Sequence, residues 1–491
     1  MFERVTFFGK LAWASCPSSR KKNDRMSLPR TCLLRHIDDM ATLPLFIPAQ
    51  PLRSPDWVPT WKGFFGERLR NTVYGWPEPA FDTFYRLRKV MGFTVHIVTD
   101  PDHVGRVLLD NKANYVRPGI TQRILSPLVG NGLLSAEGED WRKQRKIVAP
   151  TFAPGAVAKM AEVIDTAARA QVTGWRADPV RLDMAKEATN ATMAIIANAL
   201  FSGDKRLTNP QAGNHIDNLI KATGQARLST MIGLQDLDPS LLMRRARKGR
   251  YFLRSTLEQV VKDRGPDGGG DDFFGGLIRA LHEQFPAEQA RTLAVDNAIT
   301  FYVAGHETTA NALAWSIYLL AAQPAVQERA RAEAVSALDG DVATLADRTP
   351  YLRQVLDEAM RLYPPAPRFD REAVADDMLG EHPVQKGDLV SLWPWVSHRH
   401  RKLWDNPDAF DPERFAPEAK AKLHKFQYFP FGGGPRVCVG ARFAIVEALI
   451  ILTHWLAARR FSLPPGFKPY PTGSVTLRPR DGMPLIVDAI A

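Results

Sequence analysis

The sequence predicts a mostly α-helical protein with small peripheral β-sheets. From about residue 61 to residue 460 the apolar residues recur with helical periodicity, and alanine-rich amphipathic stretches lie near 155–173, 183–201, 216–229 and 241–263. Two longer stretches are apolar on most faces, which is typical of buried helices, at 290–322 and 440–459. Strand patterns are short and bounded by Gly, Pro or Asp, at 93–98, 388–393 and 474–487. Helices therefore form the predicted core, and strands its edges.

One large domain is predicted after an N-terminal leader. The chain has 491 residues, and no internal repeat or Pro/Gly-rich linker divides its helical region. We therefore expect a single domain over 51–491, although length alone would allow roughly three. Residues 1–50 are predicted to be a disordered leader. The run DRGPDGGGDD at 263–272 contains too much Gly and Pro for a helix and predicts a surface loop.

Composition and charge exclude several classes of protein. Lys and Arg exceed Asp and Glu by 64 − 53 = 11, a balance that attracts acidic partners without naming one. No basic run is interleaved with aromatic residues, so nucleic acid is not an expected partner. No stretch of roughly 20 unbroken apolar residues predicts a transmembrane anchor. The N-terminus resembles a secretory signal poorly, so the expected location is cytoplasmic.

The cysteines point to one position. Cys16, Cys32 and Cys438 form no CxxC pair, which argues against a structural zinc site and against a disulfide-built secreted protein. Cys438 lies in FPFGGGPRVCVGARFA, Phe429 to Ala444, where three glycines and Pro435 exclude a helix or strand interior and predict a tight loop open to a flat, bulky group. A cysteine just before a helix N-terminus is expected to have a lowered pKa and to bind metal as the thiolate. Arg436 is placed to reach an anionic group beside that metal.

Other glycine-rich sites do not fit this loop. A dinucleotide-binding GxGxxG would need glycine where Val437 stands, and a phosphate loop would need Gly-Lys followed by Ser or Thr. An inert core thiol is the commonest state of a lone cysteine, but it does not explain the neighbouring glycines, proline and arginine.

A second motif, AGHETT at 304–309, places polar residues inside an apolar helix. Gly305 relaxes the helix, and Thr308 and Thr309 can bond to carbonyls one turn earlier, so a local distortion is expected. A zinc-protease motif would need histidine at 310, where Ala310 stands. Taken alone, the motif is equally well explained as a satisfied polar patch in a buried helix.

The cysteine loop resembles the heme-binding signature of the cytochrome P450 family at each defining position. The matching residues are Phe431, Gly434, Arg436, Cys438 and Gly440. The resemblance implies a cytochrome P450 fold with heme b (iron protoporphyrin IX) between the oxygen-binding helix and the cysteine-ligand loop. It also implies that Cys438 is the axial ligand, that Phe431 packs near the sulfur and that Arg436 pairs with a heme propionate.

AGHETT is similar to the family's oxygen-activation motif. The resemblance implies that Glu307 and Thr308 form an acid–alcohol pair that orders water and passes protons to dioxygen at the heme. Ala304 and Gly305 would leave room for the oxygen, and His306 would face away.

Further family positions match in order along the chain, over roughly residues 55 to 490. The resemblance implies a structural triad that fixes the cysteine loop, formed by Glu358, Arg361 and Arg414. It implies propionate contacts from Trp141, Arg145 and Arg371, and His398 matches a family position that is often histidine.

The implied function is a heme-thiolate monooxygenase that inserts one atom of O2 into a hydrophobic organic substrate, by hydroxylation or epoxidation. Electrons would come from a separate ferredoxin or flavodoxin with its reductase, docking at a basic cluster of Arg142, Lys143, Arg145 and Lys146, which is otherwise a solvated helix face. The substrate, a fatty acid or terpenoid by default, would be lined by 120–133, 200–245, Phe301, Ala366 and Val475. Two alternatives are a peroxide-using peroxygenase and a non-catalytic heme-binding protein. The Glu307–Thr308 pair argues against both.

Overall fold

The computed structural model describes residues 45–58, 66–90, 92–175, 179–207, 215 and 240–490. The chain divides into two units, Met1–Leu45 and Phe46–Ala491, and only Leu45 of the first unit is among the described residues. Most of the predicted leader and all of the predicted helix at 216–229 lie outside them.

The α-helices follow the predicted periodicity closely. In chain order, those among the described residues are α1 (Glu67–Arg70), α2 (Pro101–Gly105), α3 (Gly119–Val129), α4 (Gly138–Val148), α5 (Pro154–Gly174), α6 (Met184–Phe201), α7 (Leu241–Arg264), α8 (Phe273–Gln284), α9 (Ala287–Ala322), α10 (Pro324–Ala337), α11 (Pro350–Leu362), α12 (Pro394–Ser397), α13 (Pro417–Lys420) and α14 (Ala441–Ala458). The helices predicted near 155–173, 183–201, 241–263, 290–322 and 440–459 are confirmed as α5, α6, α7, α9 and α14.

Local signals explain where several helices begin. Asp183 caps α6 by accepting a hydrogen bond from the Ala185 N–H, and Asp272 caps α8 by accepting from the Gly275 N–H at 2.7 Å. Such caps satisfy backbone donors that have no partner inside the helix. Arg264, at the end of α7, donates to both carboxylate oxygens of Asp272. The predicted loop at 263–272 is thus confirmed as the connection from α7 to α8.

The strands form small sheets beside the helices. They are β1 (Tyr85–Val90), β2 (Phe93–Val98), β3 (Tyr115–Val116), β4 (Val180–Asp183), β5 (Phe369–Ala373), β6 (Asp377–Leu379), β7 (His382–Val384), β8 (Leu389–Leu392), β9 (Arg459–Ser462), β10 (Pro471–Gly473), β11 (Leu477–Pro479) and β12 (Pro484–Ala489). The largest sheet has the order β1-β2-β8-β5-β3, in which only β2 and β8 are parallel. A second sheet has the order β4-β12-β9, and β10 with β11 and β6 with β7 form hairpins.

Helix α9 runs through the centre of the core. It packs against α6, α7, α8, α11 and α14, which agrees with its apolar residues on nearly all faces. It ends where Pro324 starts α10, because the residue before a proline is disfavoured in helical geometry.

One helix of the described residues, α14, is long and apolar enough to cross a membrane, and 67% of it is buried inside the protein. The segments Gly138–Phe152 and Pro154–Gly174 are long and apolar enough to cross a membrane only if they are taken together, and a 59° bend separates them. Core helices commonly share this composition.

Polar side chains of α9 fasten the segment between α3 and α4. Asp296 accepts from the Asn131 N–H at 2.7 Å, and Asn297 accepts from the Leu133 N–H at 2.9 Å. A side chain at position 132 would come within 2.6 Å of the Asp296 carbonyl oxygen, so only glycine fits there. This wall of the predicted substrate pocket is therefore bonded directly to the central helix.

Candidate active site

The loop that presents Cys438 is held by its own backbone. The Cys438 N–H donates to the Phe431 carbonyl at 3.0 Å, and the Val437 N–H donates to the Gly434 carbonyl at 3.1 Å. Gly440 is the N-cap of α14, and its backbone N–H donates to the Cys438 sulfur. The predicted position of Cys438 just before a helix is confirmed, and the Gly440 N–H adds a backbone donor to its sulfur.

The glycines of this loop serve the protein's own packing. Gly432 and Gly434 have φ values of 73° and 63°, which favour glycine. A Cβ at Gly434 would lie 1.7 Å from the Leu108 carbonyl oxygen, and one at Gly433 would lie 2.6 Å from the Phe426 ring. The tight loop is as predicted. The idea that all three glycines clear space for a flat ligand is wrong for Gly433 and Gly434, because protein atoms occupy the space beside them.

The Cys438 side chain is accessible, yet protein surrounds it densely. Burial raises the pKa of the Cys438 thiol, while the hydrogen bond from Gly440 and the positive charge of Arg145 lower it by less. The expected net lowering is therefore wrong, since desolvation outweighs the favourable charges. A side chain that is accessible to solvent and yet strongly desolvated is expected where it faces an enclosed space, and Cys438 fits this description.

Three arginines, Arg117, Arg371 and Arg436, surround one carboxylate beside the cysteine loop. Arg436 donates to Glu137 at 2.5 Å and to the Ala136 carbonyl at 2.9 Å. Burial, then the charges of neighbouring arginines, lower the pKa of both Arg371 and Arg436 to about 10 despite the opposing charge of Glu137. Arg117 also lies beside Glu137, and the charge of the nearby Arg145 acts on Arg436. Mutual repulsion among buried cations indicates a site that needs additional negative charge.

Arg117 was missed by the sequence analysis. Its side chain is 14% exposed, and its Nε lies 4.0 Å from Glu137. Its Nη1 is buried without a hydrogen-bond partner, which is costly for a guanidinium and indicates an acceptor supplied from elsewhere. No local pattern in NYVRPG could have identified it, because its neighbours Arg371 and Arg436 are far along the chain.

Two predicted propionate residues have other contacts. The Trp141 ring stacks on the Arg436 guanidinium, 4.2 Å from its centroid, and so orients that arginine. Arg145 lies close enough to Cys438 for their charges to interact, and burial lowers its pKa. The predicted surface cluster on α4 is therefore reduced to Arg142, Lys143 and Lys146, which are exposed.

Helix α9 turns one accessible patch toward the interior. Within Leu293–Ala321 every residue is buried except Ala304, Gly305, Glu307 and Thr308. This spacing places the four on one side of the helix. They are the predicted oxygen-motif residues, whereas His306 is buried and bonds through its Nδ1 to the Tyr302 carbonyl. The accessible patch therefore faces a space, and His306 is directed elsewhere.

Thr308 and Glu307 of the AGHETT motif both form side-chain hydrogen bonds. Thr308 donates to the Ala304 carbonyl at 2.9 Å, as predicted. The expected local distortion does not interrupt the helix, which continues unbroken through this point. A Cβ at Gly305 would lie 2.7 Å from the Ile196 side chain of α6, so helix packing requires glycine here. Glu307 accepts from the Thr476 hydroxyl at 2.8 Å, a contact that the sequence motif does not reveal.

Two of the predicted substrate-lining residues have contrasting positions. Phe301 packs between Phe152 and Phe273 with ring centroids 6.0 and 5.3 Å away and is 7% exposed, so its ring contributes to the core. Val475 is 48% exposed at the tip of the β10–β11 hairpin, which suits a lining residue.

The predicted triad is assembled, with Glu358 and Arg361 fully buried and Arg414 partly buried. Arg361 donates to both oxygens of Glu358 at 2.6 and 2.7 Å, and Arg414 Nε lies 3.5 Å from Glu358. Arg361 also donates to the His398 carbonyl at 2.7 Å, and His398 Nε2 accepts from the Phe429 N–H at 3.0 Å. A continuous path of hydrogen bonds thus joins the triad to the start of the cysteine loop.

His398 must be neutral to accept that bond. Burial, then the charges of Arg361 and Arg399, holds its pKa well below the usual value, so the ring keeps a lone pair for the Phe429 N–H. His398 is an anchor of the cysteine loop.

Comparison with known proteins identifies this arrangement. The family model described as Cytochrome P450 matches residues 75–483. The chain belongs to the cytochrome P450 family. It is 31% identical over 394 residues to cyclooctatin synthase of Streptomyces melanosporofaciens, covering 78% of this chain and 85% of that protein. It is 31% identical over 418 residues to 11-oxo-beta-amyrin 30-oxidase of Glycyrrhiza uralensis, covering 80% and 78%.

Solved cytochrome P450 structures share the fold. The P450 CYP102L1 superposes with a TM-score of 0.71 at 26% identity, covering 84% of this chain and 93% of that chain. CYP175A1 from Thermus thermophilus gives a TM-score of 0.66 at 29% identity, covering 82% and 91%. The predicted family and fold are therefore confirmed, and this P450 is a heme-thiolate monooxygenase.

The residues of the site fit a heme. The arginine cluster offers buried donors, with Arg117 Nη1 lacking a partner, for the anionic propionate edge. Cys438 offers an accessible sulfur with a backbone donor already in place. The accessible patch of α9 provides small and polar side chains for the opposite face.

Proposed function

We propose that Cys438 is the axial thiolate ligand of heme b and that Arg117, Arg371 and Arg436 hold its propionates. The observation that carries this proposal is the excess of buried arginine charge beside the cysteine loop, with Glu137 as the carboxylate among them. Phe431 supports the ligand through its carbonyl, which accepts the Cys438 N–H. When bound, the heme supplies activation of dioxygen, with electron density donated by the thiolate.

The side chains of α9 would supply protons and exclude bulk water. Thr308 has its hydroxyl on the accessible patch and donates to Ala304, so it can accept from a water there. Glu307 lies one residue before it on the same side and is mostly buried, with 15% of its side chain exposed. We propose that the two pass protons into the site through ordered water, while Ala304 leaves room for dioxygen.

The thiolate assignment is tested by absorbance of the dithionite-reduced, carbon-monoxide-bound protein. We expect the red-shifted Soret band of thiolate ligation in the wild type and its loss in Cys438→Ser, which should remain folded without monooxygenase activity. A wild-type band at the imidazole position, or wild-type turnover by Cys438→Ser, would refute it. A comparison of peroxide with an electron donor plus O2 separates the monooxygenase from a peroxygenase.

For the substrate, we propose a terpenoid-like hydrophobic molecule. The relatives' names include an oxidase of 11-oxo-beta-amyrin and a monooxygenase of cyclooctat-9-en-7-ol, which supports the terpenoid default over the fatty acid. Exposed Val475 supports an apolar lining. Spectral titration with a panel of cyclic terpene alcohols and with lauric acid tests the preference. Equal or tighter binding of lauric acid would refute it.

For the electron donor, we propose a separate acidic ferredoxin or flavodoxin that docks on the exposed side of α4, with the enzyme in the cytoplasm. Arg142 is 71% exposed, and Lys143 and Lys146 lie on the same exposed surface. Charge complementarity of this kind mainly raises the association rate. Lys143→Glu should slow reduction by a plant-type ferredoxin at low salt, whereas Lys159→Glu on α5 should not. Equal effects of the two would argue against this surface.

A further inference from the structure

The hairpin of β10 and β11 contacts the oxygen motif at a single carboxylate. Thr476 is 7% exposed, and its hydroxyl donates to Oε1 of Glu307 at 2.8 Å. Nη1 of Arg478 lies 4.0 Å from that same oxygen. A neutral donor and a positive charge therefore converge on one oxygen of the proposed proton donor.

The position of this hairpin is fixed from outside the oxygen motif. Asn71 accepts from the Gly473 N–H at 2.8 Å and donates to the Pro471 carbonyl at 3.0 Å. The Leu477 N–H donates to the Pro365 carbonyl at 2.9 Å. Thr476 is thus held by bonds on both sides, and it can impose an orientation on Glu307.

A glutamate carboxylate turns easily about its last torsion, for which packing sets only weak preferences. A hydrogen bond to one oxygen limits that rotation, and a nearby guanidinium attracts the same oxygen. Val475, next to Thr476, is 48% exposed on the tip of the hairpin. The exposed tip of the hairpin is therefore adjacent to the residue that holds the carboxylate.

We propose that Thr476 and Arg478 are positioning residues that hold the Glu307 carboxylate in the orientation from which it delivers protons. This inference rests on the proposed role of Glu307.

The partition of reduced dioxygen reports proton delivery without a known substrate. With two electrons and two protons, O2 leaves as H2O2; with four of each, it leaves as two molecules of water. When an electron donor is supplied and no substrate is present, a misplaced proton donor favours peroxide. The ratio of peroxide to water, calculated from the peroxide formed and the NADPH consumed, therefore measures the function of Glu307.

The experiment supplies electrons from NADPH through a plant-type ferredoxin and its reductase. We expect Thr476→Val to raise the peroxide-to-water ratio about 2-fold to 10-fold, the range for one lost hydrogen bond, and Thr476→Ser to restore it. Arg478→Met should raise it in the same direction. Thr472→Val is the matched control on the same hairpin, because its hydroxyl contacts Arg480 and not Glu307.

Glu307→Gln separates the proposed proton role of Glu307 from the proposed positioning role of Thr476 and Arg478. An unchanged peroxide ratio in Glu307→Gln would refute the proton role of Glu307 itself. A raised ratio in Glu307→Gln with wild-type ratios in Thr476→Val and Arg478→Met would refute only the positioning role. Thr476→Val combined with Glu307→Gln should add nothing beyond Glu307→Gln alone.

A structural readout accompanies the assay. Thermal unfolding midpoints of the purified holoprotein are compared for Thr476→Val, Glu307→Ala and the double variant. We expect the double variant to lose less than the sum of the single losses, because both remove the same contact. Additive losses would overturn the proposal even if the peroxide ratio rose.

Discussion

The cysteine loop offers a graded test of why its glycines are required. Gly434→Ala combines a φ of 63° with a Cβ only 1.7 Å from the Leu108 carbonyl oxygen, against a tolerable limit of 3.0 Å. Backbone must therefore move by about 1.3 Å or more, and the cost of left-handed geometry adds about 1–2 kcal/mol. With roughly 1–3 kcal/mol for overpacking, we expect a total loss of about 2–5 kcal/mol.

Two neighbouring variants isolate the separate causes. Gly432→Ala has a φ of 73° but its Cβ would lie 3.8 Å from Phe369, so it should lose only about 1–2 kcal/mol. Gly440→Ala has a φ of −88° and an equally open Cβ position, so it should lose less than about 1 kcal/mol. Urea unfolding of the holoprotein gives the three free energies, and the reduced, carbon-monoxide-bound spectrum gives the fraction with thiolate ligation. Equal losses in the three variants would refute this account of the loop.

Three further perturbations test the surrounding site. Arg117→Leu should speed heme transfer to apomyoglobin by about 10-fold or more, because a charge-assisted hydrogen bond to the heme is lost. Arg123→Leu, on the exposed side of α3, is the control and should leave the rate unchanged. Equal rates in the two variants would show that Arg117 does not hold the heme. Glu358→Ala should lower the free energy of unfolding by about 3–5 kcal/mol, because it leaves the fully buried Arg361 without its carboxylate. A loss under about 1 kcal/mol, measured by urea unfolding, would contradict the burial of this ion pair. Burial lowers the pKa of His400 to about 4. Between about pH 6.5 and 4 the unfolded chain therefore binds more protons at this residue than the folded chain does. The free energy of unfolding falls as the pH falls through that window. Urea unfolding from pH 7.5 to 4.5 should show a shallower fall in His400→Gln, and an identical slope would show that His400 does not contribute.

Within each motif, the residues that the sequence identified lie close together along the chain. Cys438, Gly440 and Thr308 owe their positions to a loop and two helices that form locally, so motif spacing and helical periodicity were enough to locate them. The triad could be predicted only through the family resemblance, because a glutamate and arginine three apart are common on any helix.

What the sequence could not predict depends on long-range contacts and on burial. Glu137 contacts Arg436 across 299 residues, and Thr476 contacts Glu307 across 169. No local pattern encodes such pairs. The Cys438 pKa was predicted in the wrong direction for a related reason, since the helix dipole is visible in sequence while the depth of desolvation is not.

The bonds from Asp296 and Asn297 to the α3–α4 segment affect how this enzyme can be redesigned. They fasten the backbone of Asn131 and Leu133 to the helix that carries Glu307 and Thr308. Substitutions that lengthen or reshape residues 130–133 would therefore disturb the oxygen-motif helix along with the pocket wall. Libraries aimed at substrate range should vary the preceding helix, Gly119–Val129, and keep Gly130, Gly132 and the two acceptors, Asp296 and Asn297, unchanged.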